Sequence, residues 1–278
     1  MFGGRYARPL RSAQLAQAQR LAARNLPANM LLANRLRELE GTRGRTAREF
    51  YAAQIDGELA GLVWLDANIC AVASQPEAIR MLALPAQRHV PRASAIFGDR
   101  ATTEALFAHM GRVPVREYRW SQPLLEALAN PLVPDHPGLH PANQDDADEV
   151  FRVSVEMFIE EVGVDPCRHD GGRSYRARVG SLIELGRTYI VREAGRIVFK
   201  ADIGAVVDGR AEMHGVWVDP LLRGRGLGSA AIVATTRVVM ETHAPRVSLY
   251  VNDYNLAARR VYEKAGYRQI GEMSTLLL

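Results

Sequence analysis

From Val218 the chain reads Val-Asp-Pro-Leu-Leu-Arg-Gly-Arg-Gly-Leu-Gly-Ser, with a glycine at every second position from Gly224 to Gly228. The alternating stretch 211–218 before it reads as a strand stopped by Pro220. The apolar run after it, to about Thr242, reads as a helix ended by Pro245. A glycine loop between a strand and a helix marks an α/β chain. Glycine lets the backbone come close to a ligand and take positive φ. The free N–H groups of the helix start then converge on one point, with the positive end of the helix dipole behind them. The loop therefore reads either as a pyrophosphate cradle or as a turn that only reverses the chain. It is not a Walker loop, because no Gly-Lys-Ser/Thr ends it, and its glycine spacing departs from the dinucleotide fingerprint.

The 278 residues suit about two domains. A hydrophobic share of 47% with 24% charged residues is that of a chain able to bury a core, which argues against disorder. Five of the 14 prolines (Pro123, Pro131, Pro134, Pro137 and Pro141) crowd one stretch, so 122–142 is expected to link a domain at 1–121 to one at 143–278. The first part shows helical patterns near 11–24, 28–40 and 101–110. Its strand patterns lie at 50–55, 59–65, 69–73, 94–97 and 115–120, with Asp56-Gly57 as a hairpin turn. No phosphate loop and no catalytic motif appears there. The second part reads α-α-β-β-β-α-β-α-β, with hairpin turns at Ala194-Gly195 and Asp208-Gly209. The two parts could be distant copies of one unit, but their sequences are too dissimilar to show it.

Only Cys70 and Cys167 are cysteines, too few for a disulfide scaffold or a cysteine zinc site, and they read as free thiols of a reducing cytoplasm. The seven histidines have no metal-ligand spacing, so no metal is expected. Residues 1–17 lack the apolar segment of a signal peptide, and no run approaches the roughly 20 apolar residues of a membrane span. Of 35 basic residues only Lys200 and Lys264 are lysine; the rest are arginine, and the net charge is +4. That excess suits a phosphate-bearing ligand or a solvated surface equally. Nucleic-acid binding lacks a recognised motif and interleaved aromatics.

The order Val216-Trp217-Val218-Asp219-Pro220, then Arg-x-x-Gly-x-Gly, resembles the acyl-CoA segment of the GNAT superfamily of N-acetyltransferases. Leu249-Tyr250-Val251-Asn252, then Asn255-Leu256-Ala257-Ala258 and Val261-Tyr262-Glu263-Lys264-Ala265-Gly266-Tyr267, extend the likeness over about 142–278. The whole chain also resembles a bacterial subgroup whose N-terminal domain is itself a degenerate GNAT-like unit. The resemblance implies an α/β (α+β) tandem fold, a mixed sheet flanked by helices with a strand splay at the CoA site. It implies acetyl-CoA as co-substrate and an amine acceptor, either a small molecule or a protein or peptide amine. The cofactor-binding set it carries over is Val216, Trp217, Val218, Arg223, Gly224, Arg225, Gly226, Leu227, Gly228, Ser229, Asn252, Asn255 and Tyr262.

In chemical terms the phenol of Tyr262 is suited to protonate a departing thiolate, or else it is a core tyrosine with a wet hydroxyl. Asn255 is a helix N-cap in either case. An amine arrives mostly as ammonium and must lose a proton before it attacks. Glu212 is the first candidate base, six residues before Val218. His214 lies on the same face by strand alternation, and a water chain is the third choice. Lys200 and Asp202 share a strand face as an expected ion pair. The chain is thus read as an acetyl-CoA-dependent N-acetyltransferase that transfers acetyl directly to an amine. Its alternative is an acyl-CoA-binding regulatory module without a working base.

Overall fold

The computed structural model describes residues 6–40 and 47–278. They form two compact units: Met1–Leu124 with Tyr250–Tyr254 and Gln269–Leu278, and Leu125–Leu249 with Asn255–Arg268. The elements run β1 (Arg8–Leu10), α1 (Leu15–Ala23), α2 (Met30–Glu38), β2 (Ala47–Ile55), β3 (Glu58–Leu65), β4 (Asn68–Ala73), α3 (Pro76–His89), β5 (Ala95–Asp99), α4 (Arg100–His109) and β6 (Glu117–Ala127). Then follow β7 (Leu139–Pro141), α5 (Ala147–Val162), α6 (Arg173–Glu184), β8 (Thr188–Glu193), β9 (Arg196–Val207), β10 (Arg210–Val218), α7 (Leu227–Thr242), β11 (Arg246–Tyr250), α8 (Leu256–Lys264) and β12 (Tyr267–Leu277). Apart from short 3₁₀ turns, the second series repeats the first element for element. The duplication that sequence self-similarity could not show is therefore present in the order of elements.

The three expected hairpin turns form as the sequence specifies. Asp56-Gly57, Ala194-Gly195 and Asp208-Gly209 all hold positive φ at both residues, the type I′ geometry that matches strand twist. Three elements are new relative to the sequence pattern: the short strands β1 and β7, and the helix α3. Residues 76–89 form α3 despite Pro85 in its interior, which removes one helical hydrogen bond. The loss is offset by an apolar face of Ala78, Ile79, Met81, Leu82, Ala83 and Ala86, all buried.

In the first unit β2, β3 and β4 pair antiparallel, and β4 pairs parallel with β5 at Asn68–Ala95 and Ile69–Ile96. The end of β12 closes this unit: Met273 lies opposite Asp99 and Leu277 opposite Ala95. The compact units therefore differ from the contiguous segments 1–121 and 143–278, because the last strand runs on past Met273 and finds its partner in β5. The proline-rich stretch is also only partly a linker. β6 continues through Pro123, and β7 takes up Leu139–Pro141.

In the second unit β7, β8, β9 and β10 pair antiparallel and β11 joins β10 in parallel. Its core holds Val150, Phe151, Val153 and Met157 of α5, Val179 and Ile183 of α6, and Ile190, Ile197 and Trp217 of the sheet. These residues anchor the strand that leads into the glycine loop.

Candidate active site

β10 pairs with β11 only at Arg210, Ala211 and Glu212, opposite Arg246, Val247 and Ser248. From Met213 onward the two strands separate, which leaves the β11-facing backbone of 213–218 without a strand partner. Glu212 stands at the vertex of this splay. The glycine loop stands beyond its open end, with Gly226 as N-cap residue of α7.

The loop backbone is open at its two positive-φ glycines. Gly224 and Gly226 hold φ of +78° and +90°, which side-chain-bearing residues rarely adopt. A Cβ on either would meet nothing within 4 Å, so the ground before them is open. The 16-residue α7 begins with no side-chain cap and no acidic residue in its first turn. Its first N–H groups and the positive dipole end therefore remain available to an anion. The residues present fit a pyrophosphate. Upstream, Asp219 accepts from Leu221 N at 2.9 Å and fixes the turn that brings the loop round.

The two loop arginines divide. Arg223 is committed within the protein: its guanidinium donates to both oxygens of Glu160 at 2.6 and 2.8 Å, and its Nε donates to the Val218 carbonyl at 3.1 Å. This ties the loop to the end of α5 and, chiefly through that hydrogen bond, holds the Glu160 carboxyl below its usual range. Arg225 is exposed and forms no ion pair among the described residues, so of the two it is the free charge. The indole of Trp217 is buried in the α5–α6 core, and its backbone lies opposite Lys200 of β9. Val216 and Val218 are half-buried.

Glu212 is half-buried, and desolvation pushes its pKa up to about 7, a rise that the charge of Arg178 on α6 partly opposes. That value is what a general base working near neutrality needs. Burial moves His214 the other way, down to about 4, with Arg178 acting in the same sense and Asp202 against it. The imidazole is thus neutral at pH 7. Tyr262 on α8 is buried at 7% exposure, its ring 5.9 Å from that of Tyr267. Burial, with Glu161 nearby, raises its pKa, so the phenol keeps its proton and can donate it. Asn255 caps α8, accepting from Ala258 N at 3.1 Å. Asn252 belongs to the first unit, where its Oδ1 accepts from Gln122 Nε2 at 2.8 Å.

Two residues of α6 near the site carry no motif in the sequence. Tyr175 lies 5.5 Å from the Phe158 ring and 6.1 Å from Phe151, and donates to the Ser154 carbonyl at 3.1 Å. Arg178, one helical turn on, is the cation that Glu212 and His214 both sense. Their i, i+3 spacing on α6 was the one available signal. Cys70 and Cys167 are free thiols. Among the described residues no group of three or more His, Cys, Asp or Glu could hold a metal ion, and no helix is long and apolar enough to cross a membrane.

Residues 157–267 match the Acetyltransferase (GNAT) family, and residues 48–150 match a family described as Domain of unknown function (DUF4081). A mycothiol acetyltransferase of Mycobacterium leprae is 31% identical over 185 residues, 61% of this chain and 59% of that protein. One from Nocardiopsis dassonvillei is 41% identical over 69 residues, 24% of this chain and 21% of that protein. The chain thus spans at most 59% of the length of these two relatives. An acetyltransferase of the GNAT family from Colwellia psychrerythraea superposes with a TM-score of 0.61 at 10% identity, over 98% of this chain and 99% of that one. A tandem GNAT protein from the clavulanic acid biosynthesis pathway gives 0.56 at 15% identity, over 97% of each chain. At such identities the structural likeness is one of fold.

Proposed function

From the membership of this chain in the GNAT superfamily, in a tandem arrangement with residues 157–267 as the acetyltransferase domain, we propose that it is an N-acetyltransferase that moves acetyl from acetyl-CoA directly to an amine. The observation that carries the reading is the splay vertex. A carboxylate with a pKa near 7 sits where β10 and β11 part, on the strand that leads to an uncapped, glycine-flanked helix start.

The co-substrate supplies an activated acetyl thioester. The N–H groups at the start of α7 and the loop backbone bind its pyrophosphate, with Arg225 adding charge. The freed backbone of 213–218 bonds the pantetheine amides as a sheet edge bonds an added strand. Val216 and Val218 offer N–H groups to the thioester oxygen as negative charge develops on it, while Trp217, whose peptide group faces β9, anchors the strand. Glu212 takes the proton from the acceptor ammonium, directly or through one water, and so frees the lone pair that attacks. Tyr262 donates its phenol proton toward the departing sulfur. Arg223 has a different part: by gripping Glu160 it holds the loop in place.

The N-terminal part is read as the degenerate copy. Where β10 is followed by the glycine loop, β4 is followed by Ser74-Gln75, Pro76 and the acidic Glu77 in the first turn of α3. No glycine opens that helix start, and a carboxylate stands where an anion would bind.

The test is calorimetry of CoA and acetyl-CoA on the full chain, followed by thiol release over a panel of amines. The expected result is binding of both nucleotides with similar affinity and release with at least one amine class. Absence of CoA binding overturns the assignment. Binding without release across the panel makes the chain an acyl-CoA-binding regulator.

A further inference from the structure

Lys200 is one of two lysines in a chain of arginines, and its side chain is fully buried. Its ammonium pairs with Asp202 Oδ2, while Asp202 Oδ1 accepts from the Thr188 hydroxyl at 2.8 Å. The same ammonium donates to the Gly215 carbonyl on the neighbouring strand at 3.4 Å. A buried ion pair is a poor source of stability, because well-packed apolar residues of the same volume usually do as well or better. Its presence here calls for another account, and the strand beside it supplies one.

β10 carries a bulge at this point. His214 lies opposite Asp202 and Trp217 opposite Lys200, so Gly215 and Val216 together face the single residue Ala201. An extra residue bends a strand and re-aims its peptide groups. Because the side-chain period is two, it also returns Trp217 to the face that holds His214, Asp202 and Lys200, where the indole enters the α5–α6 core. Gly215 sits in the bulge with φ of +57°, and a Cβ there would stand 2.8 Å from Asp202 Oδ2 and 3.1 Å from Lys200 Nζ. The ion pair and the bulge are thus shaped to each other. The pair fills the space a side chain would take, and the ammonium engages a carbonyl of the irregular turn. The bulge falls within 213–218, just past Glu212, where β10 has parted from β11.

We infer that Lys200, held by Asp202, is a positioning residue of the transfer site: by engaging the Gly215 carbonyl it fixes the β10 bulge that aims the 216–218 backbone into the splay. The inference rests on the reading of that splay as the acyl-CoA groove. Neither Lys200 nor Asp202 touches the reacting atoms in this account. Both act through the backbone of β10.

The experiment compares two double variants in the full chain. Lys200→Met with Asp202→Leu keeps the shape and removes the hydrogen bonds. Lys200→Gln with Asp202→Asn removes the charge and keeps them. In the apolar variant thermal stability should stay near wild type. Its acetyl-CoA dissociation constant should rise roughly tenfold, and amide exchange at 215–218 should quicken, the scale expected when one member of a contact network is lost. The hydrogen-bonding variant should recover most of the affinity. Wild-type affinity and exchange in the apolar variant overturn the inference. So does an affinity loss in both variants that follows a fall in melting temperature, which marks a role in the fold alone. Should the apolar variant fail to fold, Thr188→Val decides: it frees one Asp202 oxygen, and unchanged exchange and affinity overturn the inference. If the wild type itself binds no acetyl-CoA, the groove reading fails first, and that outcome is distinct from all of these.

Discussion

Replacing Glu212 by Gln tests the electrostatics of the proposed base without an acceptor in hand. The glutamine keeps the shape and removes the titration. In the folded protein burial lifts the Glu212 carboxyl from its ordinary 4.5 to about 7. The sign follows from linkage. Below pH 4.5 the carboxyl is protonated in both folded and unfolded chains, and no difference arises. As pH rises toward 7 the unfolded chain ionises freely while the folded chain resists, so folding loses free energy until the folded group ionises too. At about 1.4 kcal/mol per pH unit, the full loss is at most about 3 kcal/mol. The assay is urea unfolding of wild type and Glu212→Gln at pH 4.5, 6 and 8. All other titrations cancel in the difference between the two proteins. The variant should gain about 3 kcal/mol on the wild type between pH 4.5 and 8, with half of that gain reached by about pH 6. A difference that stays flat across this range refutes a raised carboxyl pKa and removes the physical reason for casting Glu212 as base.

With an acceptor identified, Glu212→Gln should lower turnover about 10²–10⁴-fold, the loss shrinking at high pH where the amine is already neutral; full turnover moves the role to His214 or a water chain. Tyr262→Phe should slow transfer by about 10²-fold with acetyl-CoA affinity nearly unchanged in calorimetry. A large affinity loss instead would assign that hydroxyl to binding. Gly226→Asp forces a side chain into a φ of +90° and sets a negative charge at the α7 start, so CoA binding should vanish while the circular dichroism spectrum is kept. Wild-type CoA affinity in that variant would place the nucleotide elsewhere. Titration should give one CoA per chain, since α3 opens on Pro76 and Glu77; a stoichiometry of two would contradict the degenerate reading of the first copy.

What the residues determine alone is local. Positive φ at Asp-Gly and Ala-Gly steps makes the three hairpins, because strand twist admits few other two-residue turns. Glycine alternation makes the loop at the start of α7, and period-3.6 apolar spacing makes α5, α6 and α7. The order of elements in the second part could be read from these signals. Tertiary structure decided the rest. α3 persists through Pro85 because burial of its apolar face outweighs one missing hydrogen bond, and propensity does not contain that burial. β12 extends to Leu277 because β5 offers its edge, a partner far away in sequence, Leu277 lying opposite Ala95. Arg223 and Arg225 look alike in the chain, yet among the described residues only the first meets a carboxylate, since the fold brings the end of α5 to it and not to its neighbour. Alternation puts Glu212 and His214 on one face, but their opposite pKa shifts come from burial acting on an acid and a base, and burial is a property of the packed unit. The bulge at Gly215 and the Lys200–Asp202 pair that faces it belong to strand register, which no local pattern encodes.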